Sequence, residues 1–598
     1  MNKEDNIVKN PAVIDILTEE FDDFEEQVGK FREGKWNPVD FMAFRLRHGV
    51  YGQRQADVHM LRIKAPFGGL SADQLDVLGE VAEKYAPLKK GHITTRENFQ
   101  FHHIPLKDTP DILRLIGEVG LSTREACGNT VRNVTGCFMA GVCEVEPFDV
   151  TPYAAAYARY FVRHPFTQAL PRKIKTAFSD CEKDCSIVSI HDVGFIPKLK
   201  QGEKGFQMVV GGGTSIMPRI APVLYDFVSV NEYLKITEAV LRVFHCSDEL
   251  RKNRMKARIK FLIDRIGIDE FRNMVELELE EPWAQRSFDP TSLLFIDDEE
   301  SDAPSLDGIY ADIEMTDEYK EWISTNVNSQ RQQGYKVVTV KVPLGDLNPN
   351  QFHELANISR KYAGGRARIT QQQNLAFRWV PEAALQEVWN ILKSISLADD
   401  GAHTITDVVS CPGTDSCKMG ITSSMGLGNA MKEIVSQQSL KNDPLISKMH
   451  VKMSGCPNGC GQHHIADIGF HGAVAKAPGG QVPAYEVFIG GSYQGSTRIG
   501  LRTKTKIPAK MVPSAVNAML IYYKSNRNEG EEFTSFVDRA GVESFDKVLA
   551  GFKDLPELNK DTIATYIDWD RSIKYKLERG EGECAAVSYT HLTLPTKA

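Results

Sequence analysis

Four cysteines in the second half of the chain have the residue type and spacing for metal chemistry. Cys411 and Cys417 stand with five residues between them in SCPGTDSCKMG, and Cys456 and Cys460 with three between them in SGCPNGCGQHH. Two close pairs of thiolates, on Gly- and Pro-rich segments that turn backbone N–H groups toward sulfides, supply what a cubane iron–sulfur cluster requires. Structural zinc is the main competitor, although its pairs are usually spaced by two to four residues and the five-residue gap fits that poorly. A thioredoxin-like redox pair needs two intervening residues, which neither pair has. Buried, unligated thiols are the remaining reading.

The elements that must position these cysteines are written twice. LRIKAPFGGLSADQLDVLGEVAEKYAPLKKGHITTRENFQF (Leu61 to Phe101) aligns with VTVKVPLGDLNPNQFHELANISRKYAGGRARITQQQNLAF (Val338 to Phe377), so that Pro66 meets Pro343, Tyr85 meets Tyr362 and Asn98 meets Asn374. Each copy reads strand, helix, strand: an alternating run (Met60 to Lys64, Val338 to Val342), then a helix start signalled by Ser71 with Gln74 or by Asn348 with Pro349 and Gln351, both fitting a capping box. The repeat continues further on. HDVGF (His191 to Phe195) answers ADIGF (Ala466 to Phe470), VVGGGTS (Val209 to Ser215) answers FIGGSYQGS (Phe488 to Ser496), and FSDCEKDC (Phe178 to Cys185) answers MSGCPNGC (Met453 to Cys460). The expected architecture is α+β, an internally duplicated pair of a small α+β unit and a larger α/β unit about a pseudo-twofold axis. An acidic linker, Asp297 to Pro304, joins the halves.

Composition narrows the classes. The 598 residues, 42% hydrophobic and 25% charged, suit a soluble globular chain of roughly four domain-sized units. Lys and Arg total 71 against 79 Asp and Glu, a formal charge of -8, and no long basic run is apparent, so nucleic acid is not the expected partner. No apolar stretch approaches the ~18 residues of a membrane helix. The N-terminus lacks a signal pattern and the eleven cysteines are too sparse for a disulfide scaffold, which predicts a cytoplasmic, reducing location. After Ala586 the Thr/Leu-rich ending has no amphipathic period and reads as non-native sequence. The glycine runs Gly211 to Gly213 and Gly490-Gly491 lack a Walker Lys-Ser/Thr, and no GxGxxG is present, so electrons are expected from a separate protein.

The cysteine segments and the duplicated layout, from about Met60 to Gly541, resemble the sirohaem and 4Fe–4S sulfite/nitrite reductases. The resemblance implies a fold of two ferredoxin-like units and two larger sirohaem-binding units with a single active site at their interface. It divides the chain into an N-terminal extension (1–50), a first ferredoxin-like half-domain (51–120), a first sirohaem/substrate-binding domain (121–295), the acidic linker (296–330), a second half-domain (331–400), a 4Fe–4S/sirohaem-binding domain (401–545), a C-terminal extension (546–586) and the tail (587–598). It assigns the cluster to Cys411, Cys417, Cys456 and Cys460, with Cys460 bridging to the sirohaem iron. Without it, His463 or His464 would stand as haem ligands.

A sirohaem enzyme acting on an oxyanion needs cations for an anionic tetrapyrrole and substrate, and protons to accompany the electrons. Arg62 lies on an alternating strand between Leu61 and Ile63, where it can face a cleft, and Lys173 and Lys175 share one face if extended. By resemblance, Arg62, Arg132, Lys173 and Lys175 surround the substrate, while Arg96, Gln100 and His102 lie at the sirohaem. Thr95-Arg96-Glu97 faces Gln371-Gln372-Gln373 in the other copy, so the basic function sits in one copy only. Cys127, Cys137, Cys181 and Cys185 occupy the first-half counterpart of the cluster region, where a second cluster is the alternative, and read as vestigial or structural thiols because nine residues including Arg132 separate the first two; Cys143, Cys246 and Cys584 have no assignment. Lys175 falls where sulfite reductases carry Lys and plant-type nitrite reductases often Asn, which favours sulfite, with nitrite as the alternative and a zinc-binding structural protein as the remote one. His92, where some relatives carry Arg, and the segment Val134 to Cys137 depart from the family pattern. The implied donor is ferredoxin or a flavoprotein reductase.

Overall fold

The computed structural model describes residues 13–308, 310, 314–493, 495–580 and 582–583. Cys584 and the tail from Val587 lie outside them. The two capping boxes form as expected: Ser71 caps helix Ala72–Lys84 reciprocally with Gln74, and Asn348 caps helix Pro349–Tyr362 with Gln351. The preceding turns also match, for Phe67 and Leu344 adopt positive φ (48° and 54°) just after the aligned prolines.

The two small units exchange edges. The first sheet runs Val50–Gly52, Val58–Lys64, Asn98–Pro105, Gly91–Ile93 and is completed by Asp346–Leu347 from the second copy. The second runs Val327–Ser329, Tyr335–Val340, Leu375–Pro381, Arg366–Ile369 and is completed by Gly69–Ser71 from the first. Their helices pack so closely that a Cβ on Gly79 would lie 3.0 Å from the Cβ of Phe352. One apolar core therefore serves both units, including Leu61, Leu75 and Phe99 from one copy and Val338, Leu355 and Phe377 from the other.

The two larger sheets also share a plan. In the first, Val131–Thr135, Ile174–Phe178 and Val193–Lys200 are parallel neighbours, and Glu203–Val210 and Val223–Ser229 continue antiparallel. In the second, Val409–Ser410, Val451–Ser454 and Ile468–Ala477 are parallel, and Gly480–Ile489 and Leu501–Pro508 follow antiparallel. The parallel ends deliver the cysteine and lysine segments to one region, as the carboxyl ends of strands in α/β sheets commonly do for ligands.

The acidic linker is pinned rather than loose. Asp297 pairs with Arg366, and half-buried Glu299 meets Arg368, Arg378 and the Trp379 indole. Burial raises the Glu299 carboxyl, but Arg378 and Arg368 more than offset this and hold it below the ordinary value. The N-terminal helix Thr18–Arg32 buries Phe24 and Val28 in the shared core, while its acidic face reaches Arg163 from Glu20 at 2.8 Å and Arg114 from Asp22 at 2.8 Å.

Candidate active site

The cysteine loops fold by backbone contact at a glycine. Cys411 follows the short strand Val409–Ser410, and Cys456 and Cys460 follow Val451–Ser454. The Gly455 N–H donates to Cys411 Sγ at 3.2 Å, and the Gly455 carbonyl accepts from the N–H groups of Ile421 and Thr422 at 2.7 and 3.1 Å. A Cβ at Gly455 would lie 2.6 Å from Gly413 Cα, so only glycine lets the two loops meet. Thr95 of the first half donates to the Cys460 carbonyl at 2.7 Å and ties the cysteine loop to the other copy.

The sulfur spacing bears on the metal. A tetrahedral zinc at about 2.3 Å from each sulfur holds thiolates about 3.8 Å apart. Among the described residues, no three sulfurs of Cys411, Cys417, Cys456 and Cys460 lie mutually within 4.8 Å. The set is more open than a single ion needs and suits a cubane, whose irons occupy separate corners. Burial, then the neighbouring Cys460, raises the thiols of Cys411 (to about 12), Cys417 and Cys456. Such a group becomes thiolate only against bound positive charge.

Facing these loops is a cation-lined wall. In the first small sheet Arg62, Gln100 and His92 are direct cross-strand partners, and His102 lies two residues beyond Gln100 on the same side. With its amide oxygen turned toward Arg62, Gln100 accepts from Arg62 Nε and Nη2 at 2.9 and 2.7 Å. Arg62 is half-buried between fully buried Leu61 and Ile63, as the alternation predicted. All eleven residues singled out in sequence (Arg62, Arg96, Gln100, His102, Arg132, Lys173, Lys175, Cys411, Cys417, Cys456, Cys460) line one cleft between the halves. Its described lining holds nine Arg and Lys side chains and no carboxylate.

The cations do not all have the same freedom. Arg132 donates three bonds to the carbonyls of Ala126 and Gly128 and so also braces the turn before its strand. Arg96 donates to the Asn133 carbonyl, while its Nη1 is buried without a partner, and buried His102 Nδ1 likewise has none. Burial, then Lys173, Arg258 and Arg96, holds the Lys175 ammonium well below the ordinary lysine value. Unpartnered buried polar atoms and crowded cations in a lining without carboxylates fit a strongly anionic ligand, as a tetrapyrrole carboxylate set or an oxyanion would be.

Sequence reasoning passed over Arg172, Arg254, Arg258 and Lys260, which also line the cleft. Arg258 pairs with Asp192 at 2.7 Å, and Lys260 donates to the carbonyls of Thr214, Ile216 and Met217, so the segment after the glycine run, Thr214 to Ile216, is held as a wall of the cleft. The signal was present: RKNRMKARIK (Arg251 to Lys260) holds six cations in ten residues, a basic run the composition reading missed. His463 and His464 are buried away from the cleft lining, and burial drives His464 down to about 3, so both stay neutral. His92 bonds Asp346 at 2.8 Å.

The grouping of Cys127 with Cys137, Cys181 and Cys185 needs correction. Cys127 packs with Leu46 and Met60 and approaches the Gly49 carbonyl at 3.7 Å, whereas Cys143 is the thiol that joins the other three.

A duplicated α+β scaffold carrying a four-cysteine loop pair beside a cationic cleft defines an iron–sulfur oxidoreductase. The family model "Nitrite and sulphite reductase 4Fe-4S domain" matches residues 127–283 and 401–556, and "Nitrite/Sulfite reductase ferredoxin-like half domain" matches 51–119 and 328–395. The chain belongs to the nitrite and sulphite reductase family. It is 28% identical over 471 residues to ferredoxin–nitrite reductase of Synechococcus elongatus, covering 77% of this chain and 85% of that protein. It is also 28% identical over 492 residues to a ferredoxin sulfite reductase of Mycolicibacterium paratuberculosis, covering 81% and 83%. The solved structure of the Mycobacterium tuberculosis NirA protein superposes with a TM-score of 0.74 at 26% identity, covering 88% of this chain and 95% of that one. No described helix is long and apolar enough to cross a membrane.

Proposed function

We propose that this member of the family reduces sulfite to sulfide with six electrons from a separate donor, at a sirohaem coupled to a 4Fe–4S cluster. The observation that carries the reading is the single cleft in which four cysteines of one half face nine cations, with no carboxylate in the described lining. Cys411, Cys417, Cys456 and Cys460 would hold the cluster, with Cys460 shared with the haem iron. Arg96, Gln100 and His102 would face the tetrapyrrole. When bound, the coupled pair would supply the electrons for the reduction.

The chain's own residues supply charge and protons. Arg62, Lys173 and Lys175 neutralise the substrate oxygens, and Arg132 adds charge while bracing the turn at Ala126 to Gly128. A lysine whose ammonium is held below its ordinary value gives up a proton readily, so Lys175 suits proton delivery as the oxygens leave as water. Sulfite near neutral pH is a dianion and nitrite a monoanion, so a surplus of cations favours sulfite. Ferredoxin, named in both relatives, is the donor this reading favours.

Anaerobically purified protein should be strongly coloured and should form sulfide from sulfite with a reduced viologen. A colourless, redox-inert protein containing zinc would overturn the reading.

A further inference from the structure

The first large unit carries a second thiol set that the active site does not use. Cys137 and Cys143 have five residues between them, and Cys181 and Cys185 have three, the spacing of the second-half pairs. Side-chain contacts link Cys137 to Cys185, Cys185 to Cys181 and Cys181 to Cys143. All four are free thiols.

Asp180 sits among them. It is 1% exposed, and its carboxylate is reached by the thiols of Cys137 and Cys143 but by no N–H or O–H donor. One carboxylate oxygen lies within 4.8 Å of both Cys143 Sγ and Cys181 Sγ. A buried carboxylate that only thiols reach favours positive charge at this set, which cluster irons would supply and disulfides between these cysteines would not.

The loops are also held as the cluster loops are. Gln53-Arg54-Gln55 recurs as Gln330-Arg331-Gln332. Arg54 N–H donates to the Ser416 carbonyl at 2.9 Å, and Arg331 N–H to the Val142 carbonyl at 2.8 Å, in each case the residue just before the second cysteine. Gln55 reaches the Asp415 carbonyl at 2.9 Å, and Gln332 the Gly141 carbonyl at 3.5 Å, one residue earlier again. The Arg54 guanidinium bonds the Gly420 carbonyl and that of Arg331 the Glu146 carboxylate, each three residues beyond that cysteine. Each copy's small unit thus grips the cysteine loop of the other half.

We propose that Cys137, Cys143, Cys181 and Cys185 bind a second 4Fe–4S cluster, with the Asp180 carboxylate beside it and no tetrapyrrole attached. Cys143, Cys181 and Asp180 come mutually within 4.8 Å but no three of the four sulfurs do, so a single ion on that trio would leave Cys137 and Cys185 unused, whereas a cluster takes all four thiols. The absence of a haem partner follows from the facing wall: Arg62 and Gln100 are answered by Thr339 and Ala376, and Glu299 neutralises Arg368 and Arg378 there.

The test is iron, zinc and acid-labile sulfide on the anaerobically purified full chain. About nine irons and eight sulfides per chain are expected, from a haem and two cubanes. About five irons, whether with one zinc at the second set or with none, would overturn the proposal. The Cys143→Ser/Cys181→Ser double variant should lose about four irons and four sulfides and keep the haem absorption and sulfite turnover. This difference reads the second set alone, even if the active-site reading fails. Loss of all iron from that variant with an unchanged far-ultraviolet circular dichroism spectrum would contradict two separate clusters.

Discussion

Replacing Lys175 by Asn removes one charge from the cleft and should change the choice between anions more than the chemistry. Lys175 stands at the start of strand Ile174–Phe178 in a cleft whose described lining holds no carboxylate. At about 5 Å and an effective dielectric of about 20, one charge contributes about 3 kcal/mol per unit of ligand charge. Sulfite carries one unit more than nitrite, so its loss exceeds that of nitrite by up to about 3 kcal/mol, or about 100-fold. Part is offset because the ammonium is already held well below its ordinary value by burial, Lys173, Arg258 and Arg96, and must be recharged when an anion binds. The ratio of kcat/KM for sulfite to that for nitrite should therefore fall by roughly 10- to 100-fold in Lys175→Asn and stay near wild type in Lys175→Arg. An unchanged ratio in Lys175→Asn would refute the charge argument.

Two further outcomes follow from the geometry. Gly455→Ala should push apart the Cys411 and Cys456 loops, because its Cβ would meet Gly413 Cα at 2.6 Å; overpacking of this kind costs about 1–3 kcal/mol, and the protein should be purified with less iron and sulfide, whereas full iron content would contradict the close-approach argument. Burial raises the Glu583 carboxyl, but Arg45 at 2.7 and 2.9 Å and the Gly52 N–H overcome this and bring it to about 2. Against an unfolded value of about 4.3, this contributes about 3 kcal/mol that is present above pH ~4.3 and lost as pH falls toward 2. Thermal unfolding midpoints should thus drop less steeply between pH 5 and 3 in Glu583→Gln than in wild type; equal slopes would contradict it.

The duplication was legible because both copies keep the same punctuation: an alternating run, a turn after proline, a reciprocal cap and a second run. The exchange of edge strands was not, since Gly69–Ser71 and Asp346–Leu347 are three and two residues long and carry no periodicity. Arg62 could be aimed from alternation alone, because its neighbours Leu61 and Ile63 had to face the core. Arg258 and Lys260 could not, for their partners Asp192 and Thr214 are brought in by tertiary packing. Cys143 was recoverable in principle. The pairing of Cys181 and Cys185 with Cys456 and Cys460 already set the repeat offset, which brings Cys143 within one residue of Cys417; starting from Cys127 concealed it. What composition obscured was locality, because a chain with an acidic total still gathers nine cations around one cleft.

The most direct test of the central claim is steady-state turnover of the purified enzyme with sulfite and with nitrite, side by side, using reduced ferredoxin and an artificial reductant. The account predicts six-electron reduction of sulfite to sulfide with the higher kcat/KM. A kcat/KM for nitrite, reduced to ammonia, that exceeds the value for sulfite would contradict it.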